Sequence, residues 1–472
     1  RLLMSDHVLN KNIDSMIQLQ KESNKIFRSF QYRKRLIQSL LNWIIDNENI
    51  IKGAIKADLK KPNIEIELTE TWFCVKEARY ILKNLKCWMR KEKVSKTLSL
   101  MTTKSYILRE PKGVILIISP WNYPFQLTVM PLLAAISAGN SVFLKPSEKT
   151  SNVSSLINRM VKEVFDSKDV CLFEGGEETV SALLENKFDH ILYTGGTEVG
   201  RIIMEKASKT LTPVTLELGG KCPALIDSSA NIKETAKKIA YFKFMNAGQT
   251  CVAPDYVLVD KQVQDEFIDR VKDYLTDMYG DVESIQDNLD YGRLVNKNHA
   301  SRLNNILNAS VQSGGTIEHG GIYDKESSFM SPTIIKTDFE SPVMKEEIFG
   351  PILPIIAYKN FQDAITQINS IEIPLACYIF SKKKINVDQF FQETQSGGVC
   401  INDISLHLMH EKLPFGGVGQ SGIGKYHGKF GFDELSHLRP VIQNIDRSPL
   451  SMFHPPYTQK VKKWVKILKK IV

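Results

Sequence analysis

The sequence predicts an α/β protein: a doubly wound parallel sheet, followed by a second α/β unit. Two observations carry this. From residue 114, short apolar runs ending in Gly, Pro or Ser ("GVILIISP", "SVFLKPS", "DVCLFEGG", "HILYTGG") alternate with stretches of helical texture. Continuous apolar strands separated by helices mean a parallel sheet covered on both faces. Such a sheet takes its ligands at the carboxyl ends of its strands. After about residue 216 a second series opens with "PALID" and "YVLVD" and continues through "TIIK", "PILPIIAYK", "LACYIFSK" and "GGVCIND".

Ahead of the first strand, residues 11–60 read as helix. Leu36, Ile37, Leu40, Leu41, Ile44 and Ile45 recur at the spacing that lays apolar side chains on one helical face. A second helical stretch covers 64–91, with Trp72, Phe73, Val75, Tyr80 and Ile81. A chain of 472 residues divides into two or three domains. Its 43% hydrophobic and 24% charged content is that of an ordinary globular protein.

The net charge of +8 is modest and spread along the chain, which argues against a nucleic-acid partner. Seven scattered cysteines with no CxxC pair argue against a disulfide framework and a zinc site. They point to a reducing, cytoplasmic setting. His407 and His410 are spaced i, i+3 without a partner at ligand spacing, so no metal is expected. No apolar window reaches membrane-spanning length, and "RLLMSDHVLN" lacks a secretory apolar region. The chain does not begin with Met, so its start is expected upstream or at Met4.

Several stretches carry residues suited to chemistry. "NAGQTCVAPD" holds Cys251, and "VTLELGGK" places Glu217 where a strand meets a Gly-Gly turn. "SPWNYP" fixes Asn122 in a Pro-bracketed turn straight after a strand, where an amide can donate to a developing oxyanion. "FLKPSEKT" puts Lys145 and Glu148 at the next strand end. "YTGGTEVG" sets Gly195, Gly196 and Gly200 between strand and helix, a setting in which free helix amides favour phosphate. "KEEIFGPI" adds Glu347 and Phe349. Singly, each also reads as a core thiol, a solvated carboxylate or a turn residue.

Together and in order, "PWNYP…KPSE…TGGTEVG…LELGGK…GQTC…EEIFGP…PFGGVGQSGIG" resembles the aldehyde dehydrogenase superfamily from about residue 20 to 445. "GQTCVAPDYVL" and "LPFGGVGQSGIGKYHGKFGFDELSH" are similar to its class 3 branch, which handles fatty, medium-chain and aromatic aldehydes. The resemblance implies Cys251 as nucleophile, Glu217 as general base and Asn122 as oxyanion donor. It implies Lys145 and Glu148 at the adenosine ribose, Gly195, Gly196 and Gly200 around the pyrophosphate, and Glu347 with Phe349 at the nicotinamide ribose. A carboxylate at 148 repels a 2′-phosphate, so NAD is the expected cofactor, with NADP as the alternative. His407 and His410 lie in the segment that forms the substrate mouth in class 3 relatives.

The same resemblance divides the chain. Residues 1–98 and 114–215 make a dinucleotide-binding domain, to which 399–427 return, and 216–398 make a catalytic domain. Segments 99–113 and 428–446 form a small bridging β-sheet that builds a homodimer. The remainder, 447–472, is a basic amphipathic tail. There Val461, Trp464, Val465, Leu468 and Ile471 share a helical face opposite the lysines, a pattern suited to peripheral membrane contact. The expected activity is NAD(P)-dependent oxidation of aldehydes to acids. Its rivals are a CoA-acylating semialdehyde dehydrogenase and a catalytically silent membrane-surface binding protein.

Overall fold

The computed structural model describes residues 6–24, 28–97, 100, 102–444, 448 and 450–471. Met4, the ends of the expected bridging segments at 99, 101, 445 and 446, and the tail's first residue, 447, lie outside them.

The N-terminal helical region is three helices rather than one: Asp6–Asn24, Phe30–Asp46 and Glu48–Leu59. Ser29 caps the second by accepting from the Tyr32 N–H. Leu36, Ile37, Leu40, Leu41 and Ile44 bury its inner face, while Ile45 stays exposed. At Asn47 the helix ends, and the amide side chain bonds back to the Trp43 carbonyl at 2.9 Å. The stretch expected as a second helix runs as Asn63–Ile66, a wide π-turn over Glu67–Thr71, and Trp72–Trp88.

The first sheet has the order Gly422–Ile423, Val214–Glu217, His190–Thr194, Val114–Ile118, Ser141–Lys145, Val170–Leu172. All neighbours are parallel except the edge pair Gly422–Ile423 with Val214–Glu217. Val114–Ile118 is buried along its whole length, the condition its unbroken apolar sequence requires. Successive strands leave it in opposite directions, so the order reverses between Val114–Ile118 and His190–Thr194. A crevice at that reversal opens above the carboxyl ends of both strands.

The second sheet has the order Thr316–His319, Thr333–Lys336, Ile352–Tyr358, Tyr256–Asp260, Pro223–Ile226, Ala376–Phe380, Gly398–Ile401. It is parallel apart from the first strand. Gly398–Ile401 therefore edges this sheet, and the chain rejoins the first sheet only at Gly422–Ile423. A third sheet joins Glu92–Val94, Lys104–Pro111 and Ser436–Gln443, the last two paired over eight residues each. The carboxyl end of the first sheet, at Glu217, faces the amino end of the second, where Pro223 and Tyr256 begin their strands. The candidate site described below lies in that gap.

Candidate active site

Cys251 stands on a short turn whose backbone is unusual. Asn246, Ala247 and Gly248 follow one another in the left-handed region, at φ 54°, 51° and 74°. A non-glycine residue there costs about 1–3 kcal/mol, so neighbours must hold the turn. They do so densely. Glu65 accepts from the Asn246 N–H at 3.0 Å. The fully buried Gln249 side chain donates to the carbonyls of Asn246 and Arg293 at 2.9 and 3.0 Å, and accepts from the Val295 N–H at 2.9 Å. At Gly248 a Cβ would lie 2.3 Å from the Gly350 carbonyl oxygen, so only glycine lets the Cys251 turn approach the 345–350 segment. Cys222 donates its thiol hydrogen to the Cys251 carbonyl at 3.3 Å.

Asn122 belongs to the same framework. One N–H of its amide goes to the Gln249 carbonyl at 3.1 Å, leaving the second for another acceptor. Its backbone carbonyl accepts from Asn246 Nδ2 at 2.9 Å and from Lys61 Nζ at 3.2 Å. Lys61 is fully buried and paired with the equally buried Glu70 at 2.9 Å. The other Glu70 oxygen takes the N–H groups of Phe125 and Gln126 at 3.1 and 2.9 Å. A carboxylate placed at the head of the Gln126–Ala138 helix complements its dipole.

Glu217 ends the strand Val214–Glu217, buried, with neither carboxylate oxygen bonded. Burial pushes its carboxyl well above the usual range, and the nearby Glu434 carboxylate adds to the shift. Cys251 is enclosed in the same place. Burial, then Glu347 and Glu217, push its thiol up to about 12. The Cys251 thiol therefore holds its proton at neutral pH, and a neighbouring base must take it before the sulfur can attack. The raised Glu217 is also a stronger base than an ordinary carboxylate, which narrows the gap to the thiol.

Two cavities meet at this pair, each lined by both Cys251 and Glu217. One, of 280 Å³, has almost wholly apolar walls, with Phe73, Phe242, Leu408 and Phe415 among them. Tyr426 also faces it, buried, with an unbonded hydroxyl. The other, of 700 Å³, is the crevice above the first sheet. It carries Asn122, Lys145, Glu148, Gly195, Gly196, Glu347 and Phe349.

In that crevice Lys145 is buried and bonded to Glu148 at 2.8 Å. Gly196 precedes the helix Thr197–Ser208, whose N-terminus no side chain caps. A Cβ at Gly196 would meet nothing within 4 Å, so the space over those free amides is open. Burial, then Asp255, push the Glu347 carboxyl up to about 8. Phe349 packs edge-on against Trp121 at 5.4 Å. Gly200 does not reach the crevice. It lies within the helix, where a Cβ would sit 2.9 Å from Leu218, so it serves helix packing. Free first-turn amides, a ribose-scale pairing of lysine and carboxylate, and a second buried carboxylate together fit a dinucleotide.

Sequence reasoning did not find Gln249, Glu65, the Lys61–Glu70 pair, Trp121 or Tyr426. Gln249, Trp121 and Tyr426 stood inside recognised motifs, and that adjacency was their available signal. At the mouth of the apolar cavity, Ser405, Leu408 and Met409 form the wall. His407 instead bonds Cys400 Sγ at 3.1 Å, and His410 is exposed. Among the described residues no group of three or more His, Cys, Asp or Glu is placed to hold a metal ion.

A family profile described as "Aldehyde dehydrogenase family" matches residues 7–441. The 4,4'-diaponeurosporen-aldehyde dehydrogenase of Staphylococcus aureus is 42% identical over 436 residues, 92% of this chain and 94% of that protein. The "Aldehyde dehydrogenase, dimeric NADP-preferring" of Rattus norvegicus is 41% identical over 416 residues, 88% and 90% of the two chains. Aldehyde dehydrogenase family 3 member A2 of Mus musculus is 40% identical over 442 residues, 93% and 90%. The solved structure "Substrate bound state of Staphylococcus Aureus AldH" superposes with a TM-score of 0.93 at 40% identity, covering 97% of this chain and 99% of that one.

Proposed function

This chain belongs to the aldehyde dehydrogenase family and oxidises aldehydes to carboxylic acids with NAD(P), and we propose that Cys251, Glu217 and Asn122 carry the reaction. One observation supports this most: a partly exposed thiol and an unbonded buried carboxyl share the wall between an apolar cavity and a polar crevice. The apolar cavity takes the aldehyde's hydrocarbon and the crevice takes the dinucleotide.

Glu217 receives the thiol proton as Cys251 Sγ bonds to the aldehyde carbon. The oxyanion of the resulting thiohemiacetal faces the free N–H of the Asn122 amide and the backbone N–H of Cys251. When bound, the nicotinamide supplies the hydride acceptor. Glu217, having released the thiol proton to solvent, then takes one from water attacking the thioester; as the C–S bond breaks it returns that proton to Cys251 Sγ, and the acid leaves. Lys145 and Glu148 would hold the adenosine ribose, Gly195 and Gly196 with the helix amides the phosphates, and Glu347 the nicotinamide ribose beside Phe349. The negative charge at Glu148 favours NAD over NADP.

Apolar walls favour aldehydes with medium or long aliphatic chains, or aromatic ones. The family match does not favour the CoA-acylating or the catalytically silent reading. The test is NADH formation from hexanal in the absence of CoA, lost in Cys251→Ala. A requirement for CoA would overturn the hydrolytic reading.

Two further features belong to this reading. Ser436–Gln443 is an edge strand among the described residues, with Leu438 and Ile442 exposed on it. An open apolar edge invites pairing with a second copy, which supports a homodimer. The helix Gln459–Ile471 exposes Trp464 and Val465 beside Lys460, Lys462, Lys463 and Lys466. The side chains of Lys470 and Ile471 lie outside the described residues. No described helix is long and apolar enough to cross a membrane. A basic amphipathic helix instead lies on an anionic lipid surface.

A further inference from the structure

A second hydrogen bond joins the two segments that carry Asn122 and Cys251. One residue along from the Asn122–Gln249 pair, Tyr123 Oη and Thr250 Oγ1 lie 2.6 Å apart. Burial pushes the Tyr123 phenol far above its usual range, so it keeps its hydrogen. A phenol is the stronger donor of the two hydroxyls, so Tyr123 donates and Thr250 accepts.

Both residues are held from behind. The Tyr123 carbonyl takes the Leu127 N–H at 2.9 Å, which ties it to the head of the Gln126–Ala138 helix. Lys61 Nζ stands 4.0 Å over the centre of the Tyr123 ring, and a buried ammonium is attracted to that face. The same ammonium reaches the Asn122 carbonyl and Glu70, so one buried cation backs Asn122 and Tyr123 together. On the other segment, the Thr250 N–H goes to the Gly248 carbonyl and the Thr250 carbonyl takes the Ala253 N–H, each at 3.0 Å.

A single bond between two segments fixes a distance but leaves a twist about that bond. Two bonds at successive positions, 122 to 249 and 123 to 250, remove the twist as well. Cys251 directly follows the second bond, and Asn122 directly precedes it. Attack by the sulfur and capture of the oxyanion need thiol and amide in one fixed relation, and a misplacement of about 1 Å costs about 10²-fold in rate. We propose that Tyr123 and Thr250 are positioning residues for aldehyde oxidation, their mutual hydrogen bond keeping the Cys251 sulfur in register with the Asn122 amide. They act through Cys251 and Asn122, so this inference rests on those two carrying the reaction. Both hydroxyl residues line the apolar cavity and neither lines the cofactor crevice, so their effect falls on the aldehyde step and spares NAD binding.

The test is a double-mutant cycle on the full-length chain: Tyr123→Phe, Thr250→Val and both together, with Thr250→Ser as the variant that keeps the hydroxyl. Stopped flow at saturating hexanal and NAD reads first-turnover NADH formation, and steady-state kinetics read KM for NAD. Each single variant is expected to slow the first turnover about tenfold, the loss of one hydrogen bond, with KM for NAD unchanged. The double variant should be no slower than either single, because all three lack the same bond. Thr250→Ser should stay within about twofold of wild type. Losses that multiply in the double variant would overturn the proposal, since they mark two independent effects. So would singles as fast as wild type, Thr250→Ser as slow as Thr250→Val, or a rise in KM for NAD matching the fall in rate, which marks a general defect. If Cys251→Ala or Asn122→Ala oxidised hexanal at the wild-type rate, the underlying assignment would fail, whatever the cycle gave.

Discussion

The amide of Asn122 donates to the carbonyl of Gln249, two residues ahead of Cys251, at 3.1 Å. That bond joins the loop above the first sheet to the Cys251 turn below the second. Asn122 and Cys251 are therefore set by one framework, with Lys61 and Glu70 anchoring it from behind. Asn122→Ala is expected to lower kcat by about 10²–10³-fold, the cost of one oxyanion donor, with a smaller change in aldehyde KM. Steady-state kinetics on hexanal check this. An unchanged kcat would remove Asn122 from the oxyanion site.

Glu347 predicts a pH effect on cofactor binding. Its carboxyl is pushed up to about 8, so it is neutral below that pH and ionised above it. An ionised acceptor binds ribose hydroxyls more tightly than a neutral one, by about 1 kcal/mol. KM for NAD should therefore fall about fivefold as pH rises from about 7 to about 9. Glu347→Gln should flatten that dependence, and a dependence surviving in the variant would assign it elsewhere.

Glu148 predicts the cofactor preference. Replacing its charge removes the repulsion felt by a 2′-phosphate, and like charges a few ångströms apart near a surface cost about 1–4 kcal/mol. Glu148→Gln should raise the NADP/NAD ratio of kcat/KM at least about tenfold. Measuring both cofactors in both proteins decides it. An unmoved ratio would place the discriminating contact at another residue.

The C-terminal helix predicts a salt-sensitive membrane contact. The full chain should sediment with vesicles containing anionic phosphatidylglycerol, less so with purely zwitterionic ones, and progressively less as salt is raised. Deleting 458–472 should abolish the sedimentation while sparing turnover of short aldehydes. Equal sedimentation of the truncated chain would discard the helix as the contact.

The sheets were legible because strands such as Val114–Ile118 and Ser141–Lys145 are buried on both faces, and burial leaves an unbroken apolar run in the sequence. The helix breaks were not. Asn47 ends one helix with its own side chain, and the π-turn over Glu67–Thr71 leaves no distinct residue pattern. In the site, residues whose chemistry a motif carries, such as Cys251, Glu217 and Asn122, could be named in advance. Gln249, Glu65 and Lys61 could not, because their roles arise from contacts between segments far apart in the chain. Gly200 shows the converse: its place in a glycine motif suggested phosphate, yet its packing against Leu218 explains it.

The account turns on a covalent acyl group at one sulfur, and intact-protein and peptide mass spectrometry read that directly. The wild-type chain, mixed with hexanal and NAD and quenched in acid during turnover, should carry one hexanoyl mass on the peptide containing Cys251. Cys251→Ala should show none. A hexanoyl group on any other residue, or none on Cys251 while NADH still forms, would contradict it.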